Sequence, residues 1–262
     1  MFVQHPIETK ENNFEQLANP HFLSSAGRGR LGGVLVDCEN ASGPVPLVRS
    51  TTAYPTASCF LTDVHYALIA KIRSKVPEAR FNNAMVEVYD PTCRTMKFHT
   101  DQTLDLEEDS YICLFTCYNH AAPPRDMLRT LQIQNKTSPE QLTQLTLHHN
   151  SIVVFSTRAN REHRHRIVLC NARPPMGAPP VLWLGLTLRL SKTFVQFEDR
   201  CVPRFVATGA PLRLASEKER QQFFRLKSLE NQMEEEAVGG DPPALTFDFT
   251  LSPGDLLPPR RV

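Results

Sequence analysis

The chain has 262 residues, 41% hydrophobic and 22% charged, which allows one large globular domain with a buried core. Its formal net charge of +1 excludes a global electrostatic attraction to nucleic acid or to an acidic membrane. Any such contact would need a local basic patch.

The sequence also carries signals about the compartment. Its first residues, MFVQHPIETKENNFEQ, lack the layout of a signal peptide, and no apolar run approaches the ~18 residues that span a bilayer. The seven cysteines form no C-x-x-C pair, and several lie in apolar runs, where cysteine behaves as a small hydrophobic residue. We therefore expect a soluble, reduced, intracellular protein, either cytoplasmic or nuclear.

The amino-terminal part divides into an extension and a helix. Residues 1–60 are rich in Gly, Ser and Pro and predict an irregular extension that packs on the core, with short strands near 33–36 and 46–49. Residues 63–76 have apolar side chains at helical spacing and are followed by Pro77, which predicts a helix that ends there.

From residue 84 the apolar period changes to that of strands. The segments AMVEVY, TMKFHT and MLRTLQIQ alternate, whereas SYICLFTCY, SIVVFST, HRIVLC and VLWLGLTLRLSKTF are more continuously apolar. Short strands separated by Pro-rich and Asn-rich turns favour a β-sandwich or barrel over alternating βαβ units. We therefore expect one mainly β domain over 61–210, with a short helix at 139–145.

The carboxyl-terminal part, residues 211–262, predicts a helix and a flexible tail. Ser216 and Glu219 have capping-box spacing, and the predicted helix 216–237 carries one apolar stripe, made by Phe223, Leu226, Leu229 and Met233. We expect this stripe to pack on the barrel or to mediate self-association. The last 25 or so residues predict low order.

The most informative stretch is MKFHTDQTLDLEEDSYICLFTCY, in which His99 and Asp101 lie two residues apart. On an extended segment both side chains point to the same side and can reach one metal ion. A non-haem Fe(II) site uses two histidines and one carboxylate and leaves positions open for O2 and a co-substrate.

The third ligand must come from another strand. The downstream histidines are His120, His148, His149, His163 and His165. The segment REHRHRIVLC places a histidine at the start of a core strand, which favours His163 or His165. These two share a face, so the pattern alone leaves the choice open.

Arg189 lies in the middle of the apolar segment WLGLTLRLSKTF. A buried arginine is rare unless it is paired with an anion. Its planar guanidinium can bind a carboxylate through two parallel hydrogen bonds, which suits a dicarboxylate co-substrate.

The order H-x-D, then His, then Arg followed by Ser and Thr resembles the 2-oxoglutarate/Fe(II)-dependent dioxygenases, in particular their AlkB-like branch. The resemblance covers roughly residues 81–197. It implies a double-stranded β-helix (jelly-roll) core, Fe(II) as the metal, 2-oxoglutarate as co-substrate, and O2.

The resemblance also implies individual roles. EHRHRIV is similar to the family's His-x-Ile/Val and selects His165 as the third ligand. Tyr89, ten residues before His99, would contact the co-substrate. RLSKTF matches the family's closing motif, so Arg189 would bind the distal carboxylate of 2-oxoglutarate, with Ser191 beside it. No catalytic residue beyond the metal site is implied.

The sequence departs from the family at several positions. Glu87 stands where the family has Asn, and Val195 stands where the family has a second Arg. Nucleobase demethylases of the branch carry an acid just after the H-x-D, and here Gln102 and Thr103 occupy those positions.

These departures from the family pattern bear on which class of substrate we expect. The acids Asp105, Glu107, Glu108 and Asp109 could line the substrate entrance and repel a phosphate backbone. We therefore expect a small-molecule or protein substrate rather than duplex DNA. The alternatives are an AlkB-type nucleic-acid dealkylase, a zinc hydrolase that uses the same ligands, and a non-catalytic interaction protein that docks a partner through the 216–237 helix.

Overall fold

The computed structural model describes residues 1–9, 12–37, 43–170, 179–197, 202–232 and 247–262. Its strands are β1 (Phe2–Pro6), β2 (Ser24–Gly27), β3 (Arg30–Val36), β4 (Val45–Pro46), β5 (Cys59–Phe60), β6 (Asn83–Tyr89), β7 (Tyr111–Tyr118), β8 (Arg129–Asn135), β9 (Leu142–Leu147), β10 (Ser151–Ser156), β11 (His163–Val168), β12 (Trp183–Arg189), β13 (Phe194–Gln196), β14 (Arg204–Phe205), β15 (Arg213–Leu214) and β16 (Phe249–Thr250). Its helices are α1 (Phe14–Leu17), α2 (Asp63–Lys75), α3 (Thr157–Glu162) and α4 (Glu217–Gln232).

Two sheets form the core. The larger has the strand order β1-β10-β7-β12-β6-β3-β2, with β5 beside β3, and the smaller has the order β11-β8-β9. The segment that includes His99 joins the smaller sheet through isolated bridges to β11. The antiparallel core strands, taken along the chain, therefore pass repeatedly between two sheets, as in a double-stranded β-helix or jelly roll. The prediction of a mainly β fold with flanking helices is confirmed.

Strand β7 is apolar throughout because both of its faces are buried. Ile112 and Leu114 pack between the two sheets, whereas Cys113 and Phe115 pack on the outer face of the larger sheet, in the same cluster as Leu68 of α2. Successive side chains of a strand point to opposite faces. Because both faces of β7 are buried, its sequence is almost continuously apolar instead of alternating between apolar and polar residues.

Residues 1–60 are more regular than expected. Strands β1, β2, β3 and β5 all extend the larger sheet. The predicted short strand near 33–36 is the second half of β3, and its glycines hid the full length of the strand: a Cβ on Gly33 would lie 1.8 Å from the carbonyl oxygen of Phe22. Glycine is thus required there by a close backbone approach inside a strand and not by a turn.

The predicted helix at 63–76 is confirmed by α2, but the predicted short helix at 139–145 is wrong. Residues 142–147 form β9, which pairs along the whole of β8. Asn135 accepts hydrogen bonds from the backbone N–H groups of Thr137 and Ser138 and so turns the chain between the two strands. The alternating LTQLTL then completes a sheet edge, and its ladder of hydrogen bonds outweighs the local helix signal.

The carboxyl-terminal helix is present as α4, and its predicted capping box is confirmed. The Ser216 N–H donates to Glu219 Oε2 at 2.8 Å, and the Glu219 N–H donates to Ser216 Oγ at 3.3 Å. Phe223 packs against a cluster that includes Phe249 and Leu251. The prediction of a tail of low order is therefore wrong for residues 247–262, and residues 233–246 lie outside the described residues.

The domain boundaries at residues 60 and 210 stay predictions. Within the described residues, no helix is long and apolar enough to cross a membrane. The free cysteines in the described chain are Cys59, Cys93, Cys113, Cys117 and Cys170.

His65 is a buried histidine that keeps its neutral form. Its Nδ1 accepts a hydrogen bond from the Thr62 N–H at 3.1 Å, and its buried Nε2 has no hydrogen-bond partner in the described part of the chain. Burial lowers the pKa of His65 from 6.5 to about 4. The folded state therefore resists protonation of this ring.

We expect His65→Gln to flatten the dependence of stability on pH. Because the folded-state pKa is lowered, the unfolded chain binds the proton first, so stability is complete above pH ~6.5 and is lost as the pH falls towards ~4. The difference is at most about 3 kcal/mol. Glutamine at this position keeps the capping box and cannot titrate.

The measurement is the free energy of urea unfolding at several pH values between 7 and 4. His148→Gln, at an exposed histidine, is the matched control and should follow the wild-type curve. Parallel curves for the wild type and His65→Gln would contradict the assignment.

Candidate metal centre

A backbone bridge pairs the two metal-competent histidines of neighbouring strand segments. The His99 N–H donates to the carbonyl of His165 at 3.0 Å, and the His165 N–H donates to the carbonyl of His99 at 2.8 Å. Residues paired in this way face each other directly and point their side chains to the same face. The two imidazole centroids lie 4.7 Å apart.

Asp101 completes the cluster from two residues further along. Its Oδ1 lies 3.8 Å from Nε2 of His99 and 3.4 Å from Nε2 of His165. One ligand atom from each of the three residues lies within 4.8 Å of the others. Asp101 and His165 are buried and His99 is half-buried, so the cluster is open on the His99 side.

Arg189 fixes the orientation of the Asp101 carboxylate. Its Nε and Nη2 donate to Asp101 Oδ2 at 3.1 and 2.5 Å, which leaves Oδ1 directed towards the histidines. Burial alone would raise the pKa of Asp101, but Arg189 and the two histidines lower it well below its ordinary range. The carboxyl group is therefore ionised at neutral pH and able to bind a cation.

His99 is held in the form that binds metals. Burial, followed by the neighbouring His165, lowers the pKa of His99 to about 4, so its imidazole is neutral at pH 7. Its Nδ1 lies 3.1 Å from the carbonyl oxygen of Lys97, where an Nδ1–H donates and leaves the Nε2 lone pair for a metal. The two imidazoles and the ionised carboxylate form a ligand set that fits a non-haem Fe(II) ion.

Asn160 of α3 holds the backbone of the carboxylate ligand. Its Oδ1 accepts from the Asp101 N–H, and its Nδ2 donates to the Asp101 carbonyl, both at 2.9 Å. A buried side chain thus replaces the strand partner that Asp101 lacks. Asn160 is fully buried, and the segment TRANRE gave no sequence signal for this role.

A cavity of about 260 Å³ lies beside the cluster. The charged side chains that line it are four cations and two acids: Arg30, Lys97, Arg189, Lys227, Glu87 and Asp101. Because Lys227 is paired with Glu230 outside the lining, the described lining has an excess of one positive charge, which favours an anionic ligand such as a carboxylate.

Tyr89 lines this cavity beside the unusual Glu87, and its contact with the co-substrate stays a prediction. The Tyr89 hydroxyl donates to Glu87 Oε2 at 2.9 Å, and Arg30 donates to Glu87 Oε1 through Nε at 2.8 Å. Burial and then the Glu87 charge raise the pKa of Tyr89 well above its ordinary value, so the phenol stays protonated. Arg30 comes from β3 and compensates the acid that replaces the family's Asn.

Ser191 and Val195 lie away from the cavity. The Ser191 hydroxyl donates to the carbonyl of Leu47 at 2.6 Å, and Ser191 is not among the residues that line the cavity. Val195 is buried in a separate apolar cluster. A contact of Ser191 with the co-substrate therefore stays a prediction that this geometry does not favour.

The acidic run does not form the cavity entrance. Asp105 is fully buried. Its Oδ1 lies 2.7 Å from Arg49 Nη2, and this ion pair fixes the carboxylate inside the protein. Glu107, Glu108 and Asp109 are exposed, and none of the four acids is among the described residues that line the cavity. The prediction that Asp105 lines the entrance is wrong.

Comparison with known proteins gives only remote similarities. No protein-family model and no curated protein matches the chain. A solved structure entitled "The structure of OsALKBH1" is 11% identical, with a TM-score of 0.46 over 72% of this chain and 97% of that one. A Pseudomonas putida prolyl-4-hydroxylase is 12% identical, with a TM-score of 0.43 over 72% and 92% of the two chains. Similarities this remote carry no argument about the reaction.

The geometry predicts different roles for the two histidines of EHRHRIV. His165 belongs to the cluster, whereas His163 places its Nδ1 3.0 Å from the carbonyl oxygen of Ala159 and is not in it. Loss of a residue that supports a metal ligand typically lowers metal affinity about 10–100-fold. We expect His165→Ala, which removes a ligand itself, to lower the Mn(II) affinity by more than this. We expect His163→Ala to change the Mn(II) affinity less than about threefold.

Free Mn(II), measured by electron paramagnetic resonance during titration of the full chain, gives both affinities. The reverse ranking would assign the ligand to His163.

Proposed function

We propose that the chain is an Fe(II)- and 2-oxoglutarate-dependent dioxygenase that hydroxylates, or oxidatively demethylates, a small-molecule or protein substrate. The observation that carries this proposal is the convergence of His99, Asp101 and His165 within 4.8 Å, beside a cavity that Arg189 also lines. The three ligands would hold Fe(II). With 2-oxoglutarate bound, the metal would supply oxidation of a C–H bond by O2, with release of succinate and CO2.

The protein's own residues would bind and orient the reactants. Arg189 keeps Asp101 ionised and turned towards the histidines. The same guanidinium lies on the cavity wall. Its Nε and Nη2 bind Asp101, so its Nη1 would donate to a carboxylate of 2-oxoglutarate. Tyr89 lines the same cavity from the neighbouring strand, with its hydroxyl proton donated to Glu87.

A zinc hydrolase on the same ligands is less well supported. Such an enzyme needs a general base close to the metal-bound water. The carboxylate other than Asp101 among the described cavity residues is Glu87, and its Oε1 is paired with Arg30. An acid paired in this way is a poor base, and a hydrolase also leaves the excess positive charge of the cavity without a partner.

The basic side chains of Arg164 and Arg166 in β11 lie away from the cavity. Arg164 and Arg166 stack on Phe98, with guanidinium carbons 5.6 and 4.3 Å from the ring centroid. Because side chains alternate along extended segments, this cluster faces away from the side that carries His99 and His165. It is therefore not positioned to stack on a base drawn into the cavity.

The test of the proposed function is Fe(II)-dependent release of succinate from 2-oxoglutarate. We expect the wild type to release succinate and Asp101→Ala to fall to background. Arg189→Lys keeps the charge but loses the planar fork, so we expect it to raise the KM for 2-oxoglutarate by about tenfold or more, the value of one lost charge-assisted hydrogen bond.

Arg30→Lys is the matched comparison, because Arg30 also lines the cavity and is likewise paired with an acid, Glu87, which is not one of the three proposed metal ligands. A larger KM effect in Arg30→Lys than in Arg189→Lys would transfer the carboxylate-binding role to Arg30. Succinate release that persists in Asp101→Ala would overturn the proposed site.

The substrate class is tested with methylated single-stranded and double-stranded oligonucleotides. We expect no formaldehyde above the control without nucleic acid, because the cavity lacks an acid at Gln102 and Thr103 and the basic cluster faces elsewhere. Robust release that disappears in Asp101→Ala would instead establish a nucleic-acid dealkylase.

A further inference from the structure

Thr100, the residue between two of the ligands, is held by the carboxyl-terminal helix. Asn231 Oδ1 accepts hydrogen bonds from the Thr100 N–H at 2.9 Å and from the Thr100 hydroxyl at 3.1 Å. Lys227 Nζ donates to the same hydroxyl oxygen at 2.9 Å. Thr100 is 1% exposed, so these bonds are protected from competition with water.

The ligand segment needs such support because it is not a regular strand. It meets the smaller sheet through isolated bridges at Thr95 and His99. Each residue from 99 to 101 then has its own pair of hydrogen bonds from a different element: β11 holds His99, α4 holds Thr100 and α3 holds Asp101. The direction of two ligands therefore depends on three separate parts of the fold.

Helix α4 is itself fixed against the barrel. Phe223 is buried against Phe247, Phe249 and Leu251, and the Lys136 ammonium donates to the Glu230 carbonyl at 2.8 Å. Lys227, one turn after Phe223, is only 7% exposed and also contacts Glu230 Oε2 at 2.8 Å. A lysine is seldom buried unless it is paired, and here it faces the cavity beside Asn231.

We propose that Asn231 and Lys227 are positioning residues of the metal centre. They act through Thr100, whose fixed backbone makes His99 and Asp101 converge on His165. This inference rests on the proposed metal-binding function and adds the carboxyl-terminal helix to the machinery of the site. Groups that orient metal ligands typically contribute 10–100-fold to metal affinity, as a general magnitude.

The test is Mn(II) affinity of the full chain, measured from free Mn(II) by electron paramagnetic resonance. Asn231→Leu removes the acceptor at similar volume, and we expect affinity to fall about 10–100-fold. Asn231→Asp keeps an oxygen that can accept both bonds, so it should retain affinity within about threefold or bind more tightly. Leu229→Ala, at a 41% exposed position of the same helix, is the matched control and should bind like the wild type.

The outcomes separate this inference from the proposed function. Wild-type binding that is lost in Asp101→Ala but unchanged in Asn231→Leu would overturn the positioning role alone. Absence of Mn(II) binding by the wild type would overturn both proposals. An equal loss in Asn231→Leu and Asn231→Asp would also reject the positioning role, because the conservative variant should rescue it.

A second pair of variants covers the case in which Asn231→Leu does not fold, as judged by circular dichroism. Thr100→Val keeps the shape of the side chain but removes its hydroxyl, and Lys227→Met keeps a long side chain but removes the ammonium. Both changes delete the same Lys227–Thr100 bond, so their effects on Mn(II) affinity should be less than additive. Full additivity would reject the bond as part of the metal centre.

Discussion

The metal centre depends on one pair of backbone hydrogen bonds, those between His99 and His165. This bridge sets the register of the H-x-D segment against β11. Because side chains alternate along extended chain, a slip of one residue would turn an imidazole away from the ligand face. It would also bring Arg164 or Arg166 into the register position of His165. The identity of the site is therefore decided by strand register as much as by the residues present.

The ion pair between Asp101 and Arg189 adds a second constraint, because its partners come from opposite sides of the barrel. Arg189 ends β12 in the larger sheet, whereas Asp101 follows the segment that joins the smaller sheet. Burial of two charges carries a large desolvation cost that only good geometry offsets. Here the pair shares one carboxylate oxygen and leaves the other to the histidines. A bound cation would use Oδ1, the oxygen that Arg189 leaves free, so one carboxylate would serve both the ion pair and the metal site.

The sequence predicted those parts of the site that local pattern controls. The long apolar run of β7 predicted a strand, because a strand buried on both faces needs apolar side chains throughout. The isolated Arg189 of β12 predicted an ion pair, because a buried arginine needs an anion. The choice of His165 over His163 came only from the family resemblance, since both lie on one strand face. Asn160 and Asn231 could not be found, because they contact the ligand segment across separations of 59 and 131 residues. Asp105 was misplaced for the same reason, since its partner Arg49 lies 56 residues away.

The flanking parts of the chain complete the cavity that the barrel begins. Within 81–197 lie the three ligands, Arg189 and Tyr89, which together define the proposed chemistry. The compensating cation Arg30 comes from β3 before this region, and Lys227 and Asn231 come from α4 after it. A buried acid such as Glu87 is tolerable only when a cation is supplied, so the amino-terminal strand is a requirement of the cavity and not an appendage. In the proposed function, the barrel would therefore hold the metal and the co-substrate, while Arg30, Lys227 and Asn231 would contribute to the shape and charge seen by a substrate.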